Sequence, residues 1–465
     1  MRSAARNTVL AVIVGLIVAP ASPARADPPV CGPPVPSTTQ PGYTVADPNC
    51  DLNGTPFVPI AGSTVRTGIL DGAAYRLELP AHWNGELVLY AHGYRGTGTT
   101  VFVDNPALRA HYLEAGFAWA ASSYQTNGYD VGQGVRDSYT LIDLFKKATG
   151  KRAKDVYMTG ASMGGHVTAV AIEEYPKAFA GAMPVCGVLG DAELFDYFLD
   201  ANVTAAALTG TAITFPSAPV DPAYQEVYRG QVLSELPKLG VGAATGLTAL
   251  GQRWAGVVEQ RSGGTRPGFA AAFAYWNAAP SIPPLSTVPF LFGLYPGLSG
   301  GTAGIAAGNV TSNRTTLYQQ DASPWLSRDE LRLNRDVLRV DRTARPDRGL
   351  AGVPKVDGRP PVPTLSMHTV GDLFVPISME QEYARRAAAN GRSRLFVSRA
   401  VRALGHCEFT VPELQQGFDD LVTWVRHGKR PAGDAILDRR AVADPRFGCT
   451  FTRSDRQSFG APCPQ

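Results

Sequence analysis

The sequence predicts an α/β fold: a doubly wound, mostly parallel sheet with helices on both faces and a large, mainly helical insertion. Three observations predict it. Apolar runs of buried-strand length alternate with amphipathic stretches at helical spacing, which is the pattern of a parallel sheet covered on both sides. That alternation breaks at Asp191 and resumes near Pro361, and the interval is rich in proline and glycine. Finally, "VYMTGASMGGHVTAVAIEEYP" (Val156–Pro176) reads as a strand that turns into a helix at Ser162, with small residues at Gly160 and Gly164 on either side.

The elements follow in order along the 465 residues. Segment 1–26 has a basic start, an apolar run (Thr8–Ala19) too short to span a bilayer, and Ala24-Arg25-Ala26. It reads as a signal peptide cut after Ala26, and the chain is expected to be secreted. Segment 27–60 is a Pro-rich lead with little apolar periodicity. Strand signals then appear in "YRLELP", "GELVLYAHGY" and "GFAWAASSY". A helix follows in "VRDSYTLIDLFKKATG", with lysines in its last turn and a glycine stop. After strand "KDVYMTG" and helix "MGGHVTAVAIEEYP" comes strand "FAGAMPVCGV", and there the insertion, 191–361, begins. The core, 61–190, resumes over 362–430 with "TLSMHTVGD", "ISMEQEYARRAAANG", "RLFVSRAVRALGH" and "TVPELQQGFDDLVTWVRHG". The tail, 431–465, reads as polar and loop-like.

Charge excludes some functions. The net charge is +3, with acidic and basic residues interspersed. That leaves no footprint for nucleic acid and no basic arm for a membrane surface. The six cysteines all follow the expected cleavage point, and none is at zinc spacing. Cys31 with Cys50 and Cys449 with Cys463 are natural local pairs, which leaves Cys186 with Cys407.

The chemistry centres on Ser162. A side chain at a sharp strand-to-helix turn stands at the C-terminal edge of the sheet and at a helix N-terminus, and Gly160 and Gly164 allow strand and helix to approach. A hydroxyl there needs a base. Asp372 in "TVGDLFVP" and His406 in "LGHCEF" each follow a buried strand, in the chain order serine, acid, histidine. The backbone amides of Tyr94, in "AHGYRG", and Met163 are the candidate oxyanion donors. A histidine base must be neutral, so activity is expected to rise with pH. Asp130, Asp191 and Asp196 are weaker candidates for the acid because none follows a strand beyond the insertion. His166 reads as a packed helix histidine and His92 as structural; His82, His111, His368 and His427 form no ligand spacing. No metal or cofactor is expected, and chelators should have no effect. Asn53, Asn202, Asn309 and Asn313 are formal glycosylation sequons. Phe269, Phe273, Tyr275, Trp276, Phe290, Phe292 and Tyr295 either line a pocket under the insertion or form its own core.

The elbow "GASMGG", the "HGY" turn, "GDLFVP" and the Gly405-His406 pair resemble the α/β-hydrolase superfamily of serine esterases, lipases and peptidases. The resemblance implies a covalent acyl-enzyme on Ser162, with water as the final acceptor and a small-molecule or polymeric ester as substrate. The Tyr-Met oxyanion pairing is similar to that of secreted cutinase-type polyester hydrolases, from which the long insertion departs. Cys407 beside His406 is similar to secreted tannase and feruloyl-esterase enzymes, where such a cysteine bonds one before the serine. Ala161 occupies that place here, and Cys186 is the substitute partner. An exported peptidase of the prolyl-oligopeptidase or tripeptidyl-aminopeptidase kind, and a non-catalytic binding protein on the same scaffold, are the alternatives.

Overall fold

The structure is a computed structural model describing residues 31–51, 53–213, 222–281, 287–293, 309–344, 350–454 and 456–464. The expected signal peptide and Tyr295 lie outside these residues. Strands β1 (Ser63–Leu70), β2 (Ala73–Pro80), β3 (Glu86–Ala91), β4 (Ala118–Ser122), β5 (Asp155–Ala161), β6 (Gly181–Val185), β7 (Thr364–Thr369) and β8 (Phe396–Val401) form one sheet. Their order is β1-β2-β4-β3-β5-β6-β7-β8. β2 is antiparallel to both neighbours, and every other pairing from β4 to β8 is parallel.

Alternation along the central strands divides the core between two faces. Leu87, Leu89, Val156 and Met158 point to one face, and Val88, Trp119 and Tyr157 to the other. The first face is covered by α2 (Val131–Thr149) and α3 (Met163–Glu174), the second by α1 (Arg109–Glu114). Asp130 caps α2 through the Gln133 N–H, and Gly150 ends it at φ 70°.

Between β6 and β7 the described part of the insertion holds α4 (Glu193–Thr209), α5 (Pro222–Leu239), α6 (Ala249–Arg261), α7 (Phe269–Ala278), α8 (Phe290–Gly293) and α9 (Arg328–Asp336). Its aromatic residues mostly pack on one another. Trp254 meets Phe273 at 5.2 Å and Phe292 at 4.8 Å, and Trp276 meets Phe290 at 4.5 Å. Phe269 is buried with them, whereas Tyr275 is 46% exposed. α10 (Ser378–Ala389), on the first face, and α11 (Val411–His427), on the second, complete the core.

Two terminal segments are more structured than their sequences suggest. In the lead, Val35–Pro36 pairs with Thr44–Val45, which pairs in turn with Thr100–Val101. Arg76 on β2 grips it by donating to the carbonyls of Pro48 and Cys50. The tail is not a polar loop: α12 (Arg439–Ala443) forms in it, and Ile436, Val442, Phe447, Phe451 and Phe459 are buried. Sparse apolar residues with no period conceal such a segment, because it is held by tertiary contacts such as Arg402 Nε to Phe447 O (2.8 Å). Among the described residues, no helix is long and apolar enough to cross a membrane.

Candidate active site

β5 runs straight into α3, and Ser162 occupies the corner at φ 59°, ψ −124°. That conformation is costly for a residue with a Cβ, so the surroundings must hold it. They do so by close approach. A Cβ at Gly164 would lie 2.1 Å from Ala91 O, and one at Gly160 would lie 2.2 Å from Gly164 O. Only glycine permits strand and helix to meet there. The Ser162 N–H donates to Val185 O at 3.0 Å, fixing the corner to β6.

Asp372 and His406 follow β7 and β8. Asp372 is fully buried, and its Oδ1 accepts the N–H groups of Phe374 (2.9 Å) and Val375 (3.0 Å). Its Oδ2 lies 2.6 Å from His406 Nδ1. Two turn amides plus the imidazole keep this carboxylate aimed at one ring nitrogen, leaving Nε2 for another partner. Phe374 stands edge-on to the His406 ring at 5.0 Å. Nε2 has the disulfide sulfur of Cys407 at 3.5 Å, and among the described residues Ser162 Oγ has no hydrogen-bond partner. Both residues are tied to β6 and the residue after it: the Ser162 N–H donates to Val185 O, and Cys186 is disulfide-linked to Cys407, next to His406.

Backbone strain gathers at this place. Six non-glycine residues have positive φ among the described residues, and three of them meet here: Ser162 (59°), Cys186 (44°) and Cys407 (55°). Gly93 faces the serine, since a Cβ on it would come 3.1 Å from Ser162 Cβ. Neither the Tyr94 nor the Met163 N–H has an acceptor among the described residues. Burial raises the Tyr94 phenol above its ordinary pKa, so it stays uncharged.

The remaining sequence candidates have other partners. Asp130 is a helix cap; Asp191 binds Arg386 at 2.5 Å and the Val356 N–H; Asp196 binds Arg342 at 3.0 Å. His166 lies 2.9 Å from the Tyr129 hydroxyl and 2.7 Å from Pro354 O, and burial lowers its pKa to about 4. His92 lies between the Gly93 and Ser123 carbonyls, and His111 pairs with Asp419. His406, Cys186 and Cys407 are close enough to hold a metal, but both sulfurs are spent in a disulfide. The other two disulfides join Cys31 to Cys50 and Cys449 to Cys463. Of the sequons, Asn53 is exposed, whereas Asn202, Asn309 and Asn313 are buried and occupied in internal hydrogen bonds.

Sequence reasoning missed the support beneath Asp372. His368 on β7 is buried, with Nδ1 3.1 Å from Glu380 Oε1 and Nε2 2.6 Å from Val375 O. Burial pushes its pKa down, but the Glu380 hydrogen bond and charge prevail and raise it. An imidazolium that donates from both nitrogens fits these two acceptors. Its only sequence trace is a histidine two residues before the turn.

No protein-family model matches the chain. Among curated proteins it is similar to the o-phthalyl amidase of Xanthobacter agilis, 22% identical over 423 residues that cover 80% of this chain and 89% of the relative. Among solved structures it is similar to feruloyl esterase B from Aspergillus oryzae (TM-score 0.45, 13% identity, 82% of this chain and 83% of that one). It is also similar to the rice cell wall degrading esterase LipA from Xanthomonas oryzae (TM-score 0.32, 14% identity, 82% and 88%). By its own strand order, with β2 alone reversed and a serine at positive φ between β5 and α3, the chain has the α/β-hydrolase fold.

Proposed function

We propose that the chain is an exported serine hydrolase that cleaves carboxylic esters through an acyl-enzyme on Ser162. One observation carries the reading: Ser162 is held at φ 59° on the sheet edge where a buried Asp372 orients His406 at 2.6 Å. In this reading His406 Nε2 takes the Oγ proton as Oγ attacks the ester carbonyl carbon. The Tyr94 and Met163 amides receive the oxyanion. Collapse breaks the bond to the alkoxy oxygen, which leaves with the proton from Nε2. Water then repeats the sequence in reverse, releasing the acid and restoring the serine. In this reading Nε2 turns from the Cys407 sulfur, 3.5 Å away, to Oγ. Catalytic hydrogen bonds commonly tighten in this way on substrate binding. Three disulfides support export, since such bonds persist in oxidising compartments.

Amide cleavage is the second reading, favoured by the similarity to o-phthalyl amidase over most of both chains. The same residues would serve, with the amine leaving in place of the alcohol. The test is turnover of p-nitrophenyl esters from acetate to palmitate, beside an amino-acid p-nitroanilide, by the wild type and Ser162→Ala. Ester turnover that falls about 10⁶-fold in the variant is the expected outcome. Dominant anilide turnover would move the assignment to the amide or peptide bond. Turnover unchanged in Ser162→Ala would rule out Ser162 as the nucleophile.

A further inference from the structure

The carbonyls of the turn that carries Asp372 are taken, one after another, by side chains of the insertion. Arg266 Nε donates to Val370 O at 2.9 Å, and the Tyr197 hydroxyl donates to Leu373 O at 3.2 Å. Trp276 Nε1 forks, donating to Gly371 O and to Leu404 O, each at 2.9 Å. All three donors are buried. The forked bond is the informative one. Gly371 immediately precedes the acid and Leu404 lies two residues before the base, so one indole N–H ties the two turns together. The turns also touch directly, through Gly371 N to Ala403 O (2.9 Å) and Thr369 Oγ1 to Gly405 O (2.9 Å).

A packed aromatic alone does not explain this arrangement. Phenylalanine would fill much of the same space, whereas a buried indole N–H needs an acceptor and here has two. We propose that Trp276, assisted by Arg266 and Tyr197, is a positioning residue that sets the register of Asp372 against His406. On this view the base of the insertion is part of the catalytic framework. The proposal rests on the serine-hydrolase reading above. Its physical basis is that a carboxylate displaced by a fraction of an ångström no longer holds the imidazole in line, and errors of about 1 Å cost about 10²-fold in rate.

The test uses full-length Trp276→Phe and Tyr197→Phe, each removing one donor while keeping a ring. Four quantities are measured: kcat and KM on a p-nitrophenyl ester, the pH dependence of kcat, and the low-field proton resonance of His406 Nδ1–H. In Trp276→Phe, kcat should fall about tenfold, the loss of roughly one well-placed hydrogen bond. KM should stay within about twofold, the pH profile should move, and the resonance should shift or broaden. Tyr197→Phe should show the same changes, smaller. A lower melting temperature with kcat, pH profile and resonance unchanged would overturn the proposal, leaving Trp276 a packing residue. If Trp276→Phe does not fold, Tyr197→Phe and Arg266→Lys carry the test by the same criteria. If the wild type shows no Ser162-dependent turnover, the hydrolase reading fails on its own. The resonance then still decides whether the insertion sets the Asp372–His406 pair.

Discussion

Asp372 is held where its interactions leave it no second orientation: two turn amides on one oxygen, one imidazole on the other, and no exposure. Replacing it with asparagine keeps the shape but offers the imidazole an uncharged amide in place of a carboxylate, so the wrong tautomer is favoured. We expect Asp372→Asn to lower kcat by about 10⁴-fold with little change in KM, read from steady-state ester hydrolysis. Gly371 is equally constrained, since a Cβ on it would lie 2.6 Å from Ala403 O. Gly371→Ala should cost about 2 kcal/mol in a denaturant melt, because the acid and base turns must part to admit the methyl group. At this scale the sequence was informative where chemistry and chain position coincide. Ser162, Asp372 and His406 each follow an apolar strand, so their places beyond the ends of β5, β7 and β8 were legible, and the roles proposed for them rest on those places. Trp276 could not be read this way: its carbonyl partners lie 95 and 128 residues downstream, and in sequence it is one more aromatic in an aromatic run.

Strands that are buried on both faces announce themselves as apolar runs, and β3 to β8 were legible for that reason. β1 was not, because it is an edge strand with mixed exposure. The signal that would have found it is Asp71-Gly72, both at positive φ, closing a two-residue hairpin between Leu70 and Ala73. The β1–β2 hairpin also carries Glu78, buried at the join between sheet and lead. Burial pushes its carboxyl up, but hydrogen bonds from Arg109, Ser63 and the Ile60 N–H outweigh this and hold it below the usual range. A depressed carboxyl contributes stability that is complete above its ordinary pKa of 4.5 and is lost as pH falls through the lower folded value. Urea midpoints should therefore drop on acidification below about pH 4.5 in the wild type, and less in Glu78→Gln. The variant itself should lose about 3 kcal/mol at neutral pH, because Arg109 is left without its buried partner.

For the whole molecule, the three disulfides act over very different spans. Cys31–Cys50 and Cys449–Cys463 close 19 and 14 residues, whereas Cys186–Cys407 closes 221 and crosses the insertion. Loop-closure entropy gives about 5 kcal/mol for the long span against about 3 for the short ones. Cys186→Ala with Cys407→Ala should accordingly lower the melting temperature more than removal of either terminal bridge. Because Cys407 adjoins His406, the same pair should also lower kcat, whereas the terminal bridges should leave it unchanged. The layered sheet and its interruption were readable as alternation and loss of alternation, but how the insertion rests on the core was not, since that lies in a few side-chain donors reaching distant carbonyls. Everything proposed for the site depends on Ser162 being a nucleophile made reactive by His406 and Asp372. The most direct measurement is labelling of the intact protein with a fluorophosphonate, followed by mass mapping. A single adduct on Ser162 is expected, absent in Ser162→Ala and strongly slowed in His406→Ala. An adduct on another residue, or equal labelling in all three proteins, would contradict it.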